Sequence, residues 1–272
     1  MLKNSLNSFL ITFRELARQW QTVAIMGALY LLLLATLYGF IATREATAIQ
    51  VLATLLFAAA APFIFFLLQA TVMGQARDGR IRWYPTLKES CKLALTALPV
   101  IAIGLAILWL TNRWQLRLSG EYTTSQMSIE NATNKWTLVS FAALRTILFA
   151  VVLPLIMIHV WLETFDSDLL AAIRGGARDW LGKFRQIVVR AFSPESVLLY
   201  SIGLVLFAAV PCVLLFVHLP FQGQWSEFGV FTGRLGLAIF TSLLGWVATL
   251  STFTRLHKFQ SEQCYGLSSE TY

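Results

Sequence analysis

Six stretches of this chain carry no charged side chain, at 19 to 43, 46 to 76, 93 to 112, 146 to 162, 196 to 226 and 235 to 254. A helix crosses a bilayer in about 20 apolar residues, so these runs predict six transmembrane helices, over about 22–42, 48–73, 93–111, 138–162, 196–218 and 231–253. Two other segments follow a helical period with one polar side. In the first, Leu2, Leu6, Phe9, Leu10, Phe13, Leu16 and Trp20 recur at steps of three and four, with Lys3, Asn7, Arg14, Arg18 and Gln19 on the other side. In the second, from Asp168 to Arg190, one face holds Leu169, Ile173, Ala177, Trp180, Leu181, Phe184, Ile187 and Val188. Arg174, Arg178, Lys183, Arg185 and Arg190 crowd the rest. Both read as basic amphipathic helices at the membrane surface, their apolar faces on lipid or on the protein's own spans.

Local punctuation sharpens the boundaries. Arg77-Asp78-Gly79-Arg80 reads as a turn, with a helix starting at Pro85 and running into the third span. Ser193-Pro194-Glu195 is a cap followed by proline in the first helical turn, which starts the fifth span. Asn112 to Trp136 and Pro220 to Phe228 read as loops. Pro62, Pro99, Pro154 and Pro211 fall inside spans two to five, where each removes a backbone hydrogen bond and permits a kink. The run Ala58-Ala59-Ala60-Ala61 would let another helix approach closely, which makes the second span a candidate for the bundle centre. Gly-x-Ala-Arg-Asp at Gly74 to Asp78 recurs at Gly175 to Asp179, an arrangement open to internal duplication.

Composition agrees with a lipid solvent. The chain is 57% hydrophobic and 13% charged, against about a quarter charged in a soluble domain. No segment between spans is long enough to bury a core of its own. The expectation is therefore an all-α polytopic protein with a single six-helix membrane domain over 1–255 and a short tail over 256–272. The first apolar run is too long for a secretory signal and reads as an uncleaved anchor.

Charge sets the expected orientation. Of the 21 Lys and Arg, all but Arg44, Arg113, Arg117, Lys135, Arg145 and Arg234 fall on one side if the spans alternate. Basic residues concentrate in cytoplasmic segments, so both termini are expected in the cytoplasm. Cys91, Cys212 and Cys264 are not placed to pair, and His159, His218 and His257 are too scattered for a metal site.

Catalytic chemistry finds little footing. No span holds an Asp or Glu beyond Glu163 at an end, which disfavours ion-coupled transport. Glu163, Asp166 and Asp168 sit beside a basic helix, where capping and charge pairing account for them. Arg145 and Arg234 are the ionisable residues closest to span interiors. Each can reach headgroups from the outer end of its span, or both can converge on a small anion site. No nucleophile-and-base pair, cofactor motif or nucleic-acid signature stands out.

The basic N-terminal helix, six spans, proline in the fourth span and the string from Ala172-Ile173-Arg174 through Trp180 to Lys183-Phe184-Arg185 together give an architecture. It resembles a broad bacterial group of six-helix inner-membrane proteins, which includes the membrane domain attached to some glycerophosphodiester phosphodiesterases. The resemblance implies an inner-membrane location and, in enzyme-bearing members, chemistry in a separate soluble domain. The functional expectation is a non-enzymatic accessory or organising subunit without cofactor. It would engage anionic lipid headgroups, or a partner membrane subunit, through Arg14, Arg18, Arg174, Arg178, Lys183, Arg185 and Arg190. The alternative is a permease or lipid-handling transporter with a cavity between proline-kinked helices.

Overall fold

The structure, a computed structural model, describes residues 2–43, 47–120, 130–166, 177–217 and 224–269. Among the described residues there is no strand. The helices, in chain order, are α1 (Leu2–Arg18), α2 (Trp20–Ala42), α3 (Ala48–Asp78), α4 (Trp83–Gly120), α5 (Glu130–Ile147), α6 (Leu153–Asp166), α7 (Ala177–Ala191), α8 (Pro194–Leu204), α9 (Val210–Phe216) and α10 (Gln224–Ser269). Six segments are long and apolar enough to cross a membrane: Trp20–Ala42, Ala48–Asp78, Trp83–Gln115, Leu138–Phe165, Pro194–Phe216 and Trp225–Phe259. The protein is thus an all-α, six-span membrane protein.

The predicted punctuation holds where it is described. Gly79, at φ 70°, adopts the left-handed conformation and its N–H closes α3 on the Gln75 carbonyl, a geometry that suits glycine because it has no Cβ. Ser193 accepts from the Ser196 N–H at the start of α8, with Pro194 in its first turn. Arg82 accepts from the Thr86 N–H, so α4 begins just before Pro85 and runs without a break into the third span.

Helices extend further than the loops read from sequence. The described residues between Asn112 and Trp136, up to Gly120 and from Glu130, are helical, and α10 includes Gln224 to Phe228 of the second expected loop. The expected tail is also helix as far as Ser269. Arg, Gln, Leu, Lys and Glu are good helix formers. A charge therefore ends the apolar run without ending the helix. At 46 residues, α10 is about 70 Å long, more than twice the roughly 30 Å hydrocarbon core.

Contacts group the chain into two compact units, Met1–Ala94 with Ser193–Tyr272, and Leu95–Phe192. In the first, α2 packs on α3, and α10 packs on α3, α8, α9 and α1. Its core is a band in which Leu68 to Met73 of α3 and Val247 to Thr254 of α10 are buried at every position. The small-residue run expected to mark the closest approach lies elsewhere, since Ala58 and Ala59 are exposed. At that level Phe57 fills the space over Gly39 of α2, coming within 2.9 Å of where a Cβ would stand. In the second unit α6 packs on α7, with Val100, Val160 and Ile187 at the core and Leu153, Ile156 and Met157 against them.

Two of the four span prolines reshape their helices. A π turn at Leu148–Val152 precedes Pro154, and another at Val205–Ala209 precedes Pro211. The Leu153 N–H donates to Leu148 and the Val210 N–H to Val205, five residues back. A proline ring collides with the carbonyl four residues earlier, and widening the preceding turn relieves that collision. Pro62 and Pro99 sit within uninterrupted α-helix.

Candidate functional site

Three sides of α1 have different surroundings. Phe9, Thr12 and Leu16 are buried, on a helix that packs against α2, α8 and α10. Leu10 and Phe13, on the adjoining side with Ala17, are 58% and 42% exposed. Arg14 and Arg18, one turn apart beyond them, are exposed as well. A helix packed only on protein would bury its apolar residues together; this one splits them between the protein and the outside.

The end of the first unit near Arg77 and Arg255 fastens α1 in place. Glu15 pairs with Arg255 of α10. Gln19, the single residue between α1 and α2, accepts from Gln75 Nε2 of α3 at 2.6 Å. Lys258 donates to the Arg77 carbonyl at 3.2 Å. Trp20, 70% exposed, starts α2 at this same level, in keeping with the aromatic belt at a membrane surface.

The second basic helix distributes its residues differently. Ile187 and Ala191 of α7 are buried, Ile187 against Val160, so this part of its apolar face packs on protein. Lys183 is half-buried and Arg185 exposed. Arg190 reaches Glu163 of α6 at 3.4 Å, the charge pairing expected for that carboxylate. Arg178 lies in the first turn of α7, whereas Arg174 falls outside the described residues. Of the recurring Gly-x-Ala-Arg-Asp strings, the first lies in the last turns of α3, whereas Gly175 and Gly176 of the second fall outside the described residues.

Arg145 and Arg234 have different partners. Arg234 turns to the end of α9, where Nε donates to the Leu214 carbonyl at 2.5 Å and a terminal N–H donates to the Val217 carbonyl. Leu214 and Val217 lie at the C-terminal end of α9, which carries the negative end of the helix dipole and so suits a cation. Arg145 donates to Gln115 Oε1 at 2.5 Å, and its Nε is buried without a hydrogen-bond partner. Arg234→Lys is expected to lower stability by about 1 kcal/mol, because an ammonium cannot match the spread of the guanidinium donors. Thermal unfolding in detergent checks this, and an unchanged midpoint would mean that Arg234 needs only charge and reach.

Sequence reading passed over the polar centre of the first unit. Gln69, buried in α3, accepts from Trp246 Nε1 of α10 at 2.8 Å. Trp246 meets Phe207 edge to face at 5.3 Å, and Phe207 meets Tyr200 at 6.0 Å. Gln69 was visible as an amide inside an apolar run, but its partner lies 177 residues away. The buried threonines of α10 are satisfied within their own helix, with Thr249, Thr252 and Thr254 donating to carbonyls four residues back at 2.6 to 2.8 Å.

Glycines meet both π turns. Gly104 of α4 would bring a Cβ within 2.9 Å of Leu153 and 3.8 Å of Phe149, in the second unit. In the first, Gly245 of α10 would bring one within 2.8 Å of the Phe207 backbone nitrogen, and Gly203 of α8 faces the Thr249 side chain. The widened turns are seated on glycine. Comparison with family models, characterised proteins and solved structures finds no match.

Proposed function

We propose that this protein is a non-enzymatic accessory or organising subunit of a bacterial inner membrane, with both termini cytoplasmic, that engages anionic phospholipid through its basic surface helices. The observation that carries this reading is the three-sided environment of α1. One side is packed on the bundle, the next presents Leu10 and Phe13 outward, and the third presents Arg14 and Arg18. That order matches a helix lying in the interface, with apolar residues at the acyl boundary and arginines among headgroups. Arg185 adds an exposed charge on α7, and the basic bias of these segments supports the cytoplasmic assignment.

Partner binding through the same helices remains part of this proposal. The permease or lipid-handling reading draws on the π turns before Pro154 and Pro211, since such turns are frequent at functional sites. The glycine contacts at both turns favour close packing over a passage.

The test is lipid composition. Full-length protein extracted in mild detergent from membranes containing phosphatidylglycerol and phosphatidylethanolamine is compared with Arg14→Gln/Arg18→Gln. The variant is expected to retain less phosphatidylglycerol, each arginine near the surface contributing about 1 kcal/mol to its attraction. The difference should shrink in high salt. Equal phosphatidylglycerol in a folded variant would remove the assigned role of α1.

A further inference from the structure

Arg145 stands about 10 Å along the helix from Leu138, where its span begins. Side chains lean toward the N-terminus of a helix, which carries this guanidinium toward the nearer membrane surface. Its one hydrogen bond among the described residues is to the neutral Gln115 amide, and no acidic side chain reaches it among those residues. The Nε–H is shielded from solvent and unused. Arg234, by contrast, spends its donors on the end of α9. A cation placed within a span without a counter-charge is costly, and a guanidinium fork matches the paired oxygens of a phosphate.

We propose that Arg145, positioned by Gln115, binds a phosphate-bearing anion at the end of the span that starts at Leu138. Both a phospholipid headgroup and free phosphate have this chemistry, and the depth of Arg145 suits a headgroup. Nε and a terminal nitrogen would share the phosphate oxygens, while Gln115 holds the other arm of the guanidinium. The site does not depend on α1, so loss of lipid binding at Arg14 and Arg18 leaves it intact.

The test uses full-length protein in mild detergent, weighed intact by native mass spectrometry. Wild type is expected to retain a phospholipid that Arg145→Gln loses, with Arg145→Lys holding it about tenfold less tightly. Delipidated wild type should rebind phosphatidylglycerol saturably and ignore diacylglycerol, which has no phosphate. A rise in thermal stability with inorganic phosphate, in wild type and not in Arg145→Gln, would support the same site with free phosphate as its ligand. If Arg145→Gln does not fold, the wild-type titrations and Arg145→Lys decide. Equal response to phosphatidylglycerol and diacylglycerol with no effect of phosphate, or unchanged phospholipid retention in a folded Arg145→Gln, would overturn the assignment.

Discussion

Alanine at position 245 is expected to destabilise the protein by about 2 kcal/mol, even though alanine is the better helix former. The new Cβ would lie 2.8 Å from the Phe207 nitrogen and 2.9 Å from the Leu206 carbonyl carbon. Both atoms are backbone, so no rotamer change can make room. Relief requires the π turn or α10 to move, an overpacking cost of about 3 kcal/mol, from which about 1 kcal/mol of helix propensity is recovered. The same helix supplies its own control. Gly236 has nothing within 4 Å of the added carbon, so Gly236→Ala should leave stability unchanged or raise it by up to about 1 kcal/mol. Thermal unfolding of both variants in one detergent measures the contrast. Equal midpoints would mean that the π turn is not seated on Gly245.

The neighbouring joint gives this prediction its reach. Gly203 faces Thr249, whose hydroxyl donates to the Gly245 carbonyl at 2.6 Å. Three small or self-satisfied residues therefore let α8 and its π turn lie against α10. The proline at 211 was plain in the sequence, but whether it would kink, bulge or pass unnoticed depended on a residue 34 positions further along, Gly245. Pro62 and Pro99 look similar in sequence and leave α-helix intact.

The spans were legible because lipid imposes a strong rule. A charge inside the hydrocarbon is expensive, so gaps between charges locate the membrane. They do not locate helix ends, since water tolerates a helix carrying Arg113, Gln115 and Arg117 as readily as a loop. That is why α4 reaches Gly120 and α10 reaches Ser269. Burial was less legible still. Leucine facing lipid and leucine facing protein are equally apolar, and Ala58 and Ala59 proved exposed while Leu68 to Met73 sit in the core. The split of α1 between bundle and surface was open, because it depends on where α8 and α10 lie. Arg145 and Arg234 stand out in the sequence by position. Their different partners were not visible, since the α9 carbonyls and Gln115 are separated from them by 17 to 30 residues.

Removing the Gln69 amide should have the second large effect. Gln69→Leu keeps the approximate size of the side chain but takes away the acceptor of the Trp246 indole N–H, in a band where Gln69 is 1% exposed. Water cannot replace the lost partner there, and an unsatisfied donor costs about 1–3 kcal/mol. Interhelical hydrogen bonds within membranes average nearer 1 kcal/mol, so the expected loss is about 2 kcal/mol. Trp246→Phe should cost a similar amount by stranding the Gln69 carbonyl and reducing the ring that meets Phe207 at 5.3 Å. The decisive variant is the double one. If the pair acts as one interhelical clamp between α3 and α10, replacing both partners by apolar groups leaves no stranded polar atom, and the combined loss falls short of the sum of the singles by about 1 kcal/mol or more. Additive losses would show that Gln69 and Trp246 contribute separately, through packing alone.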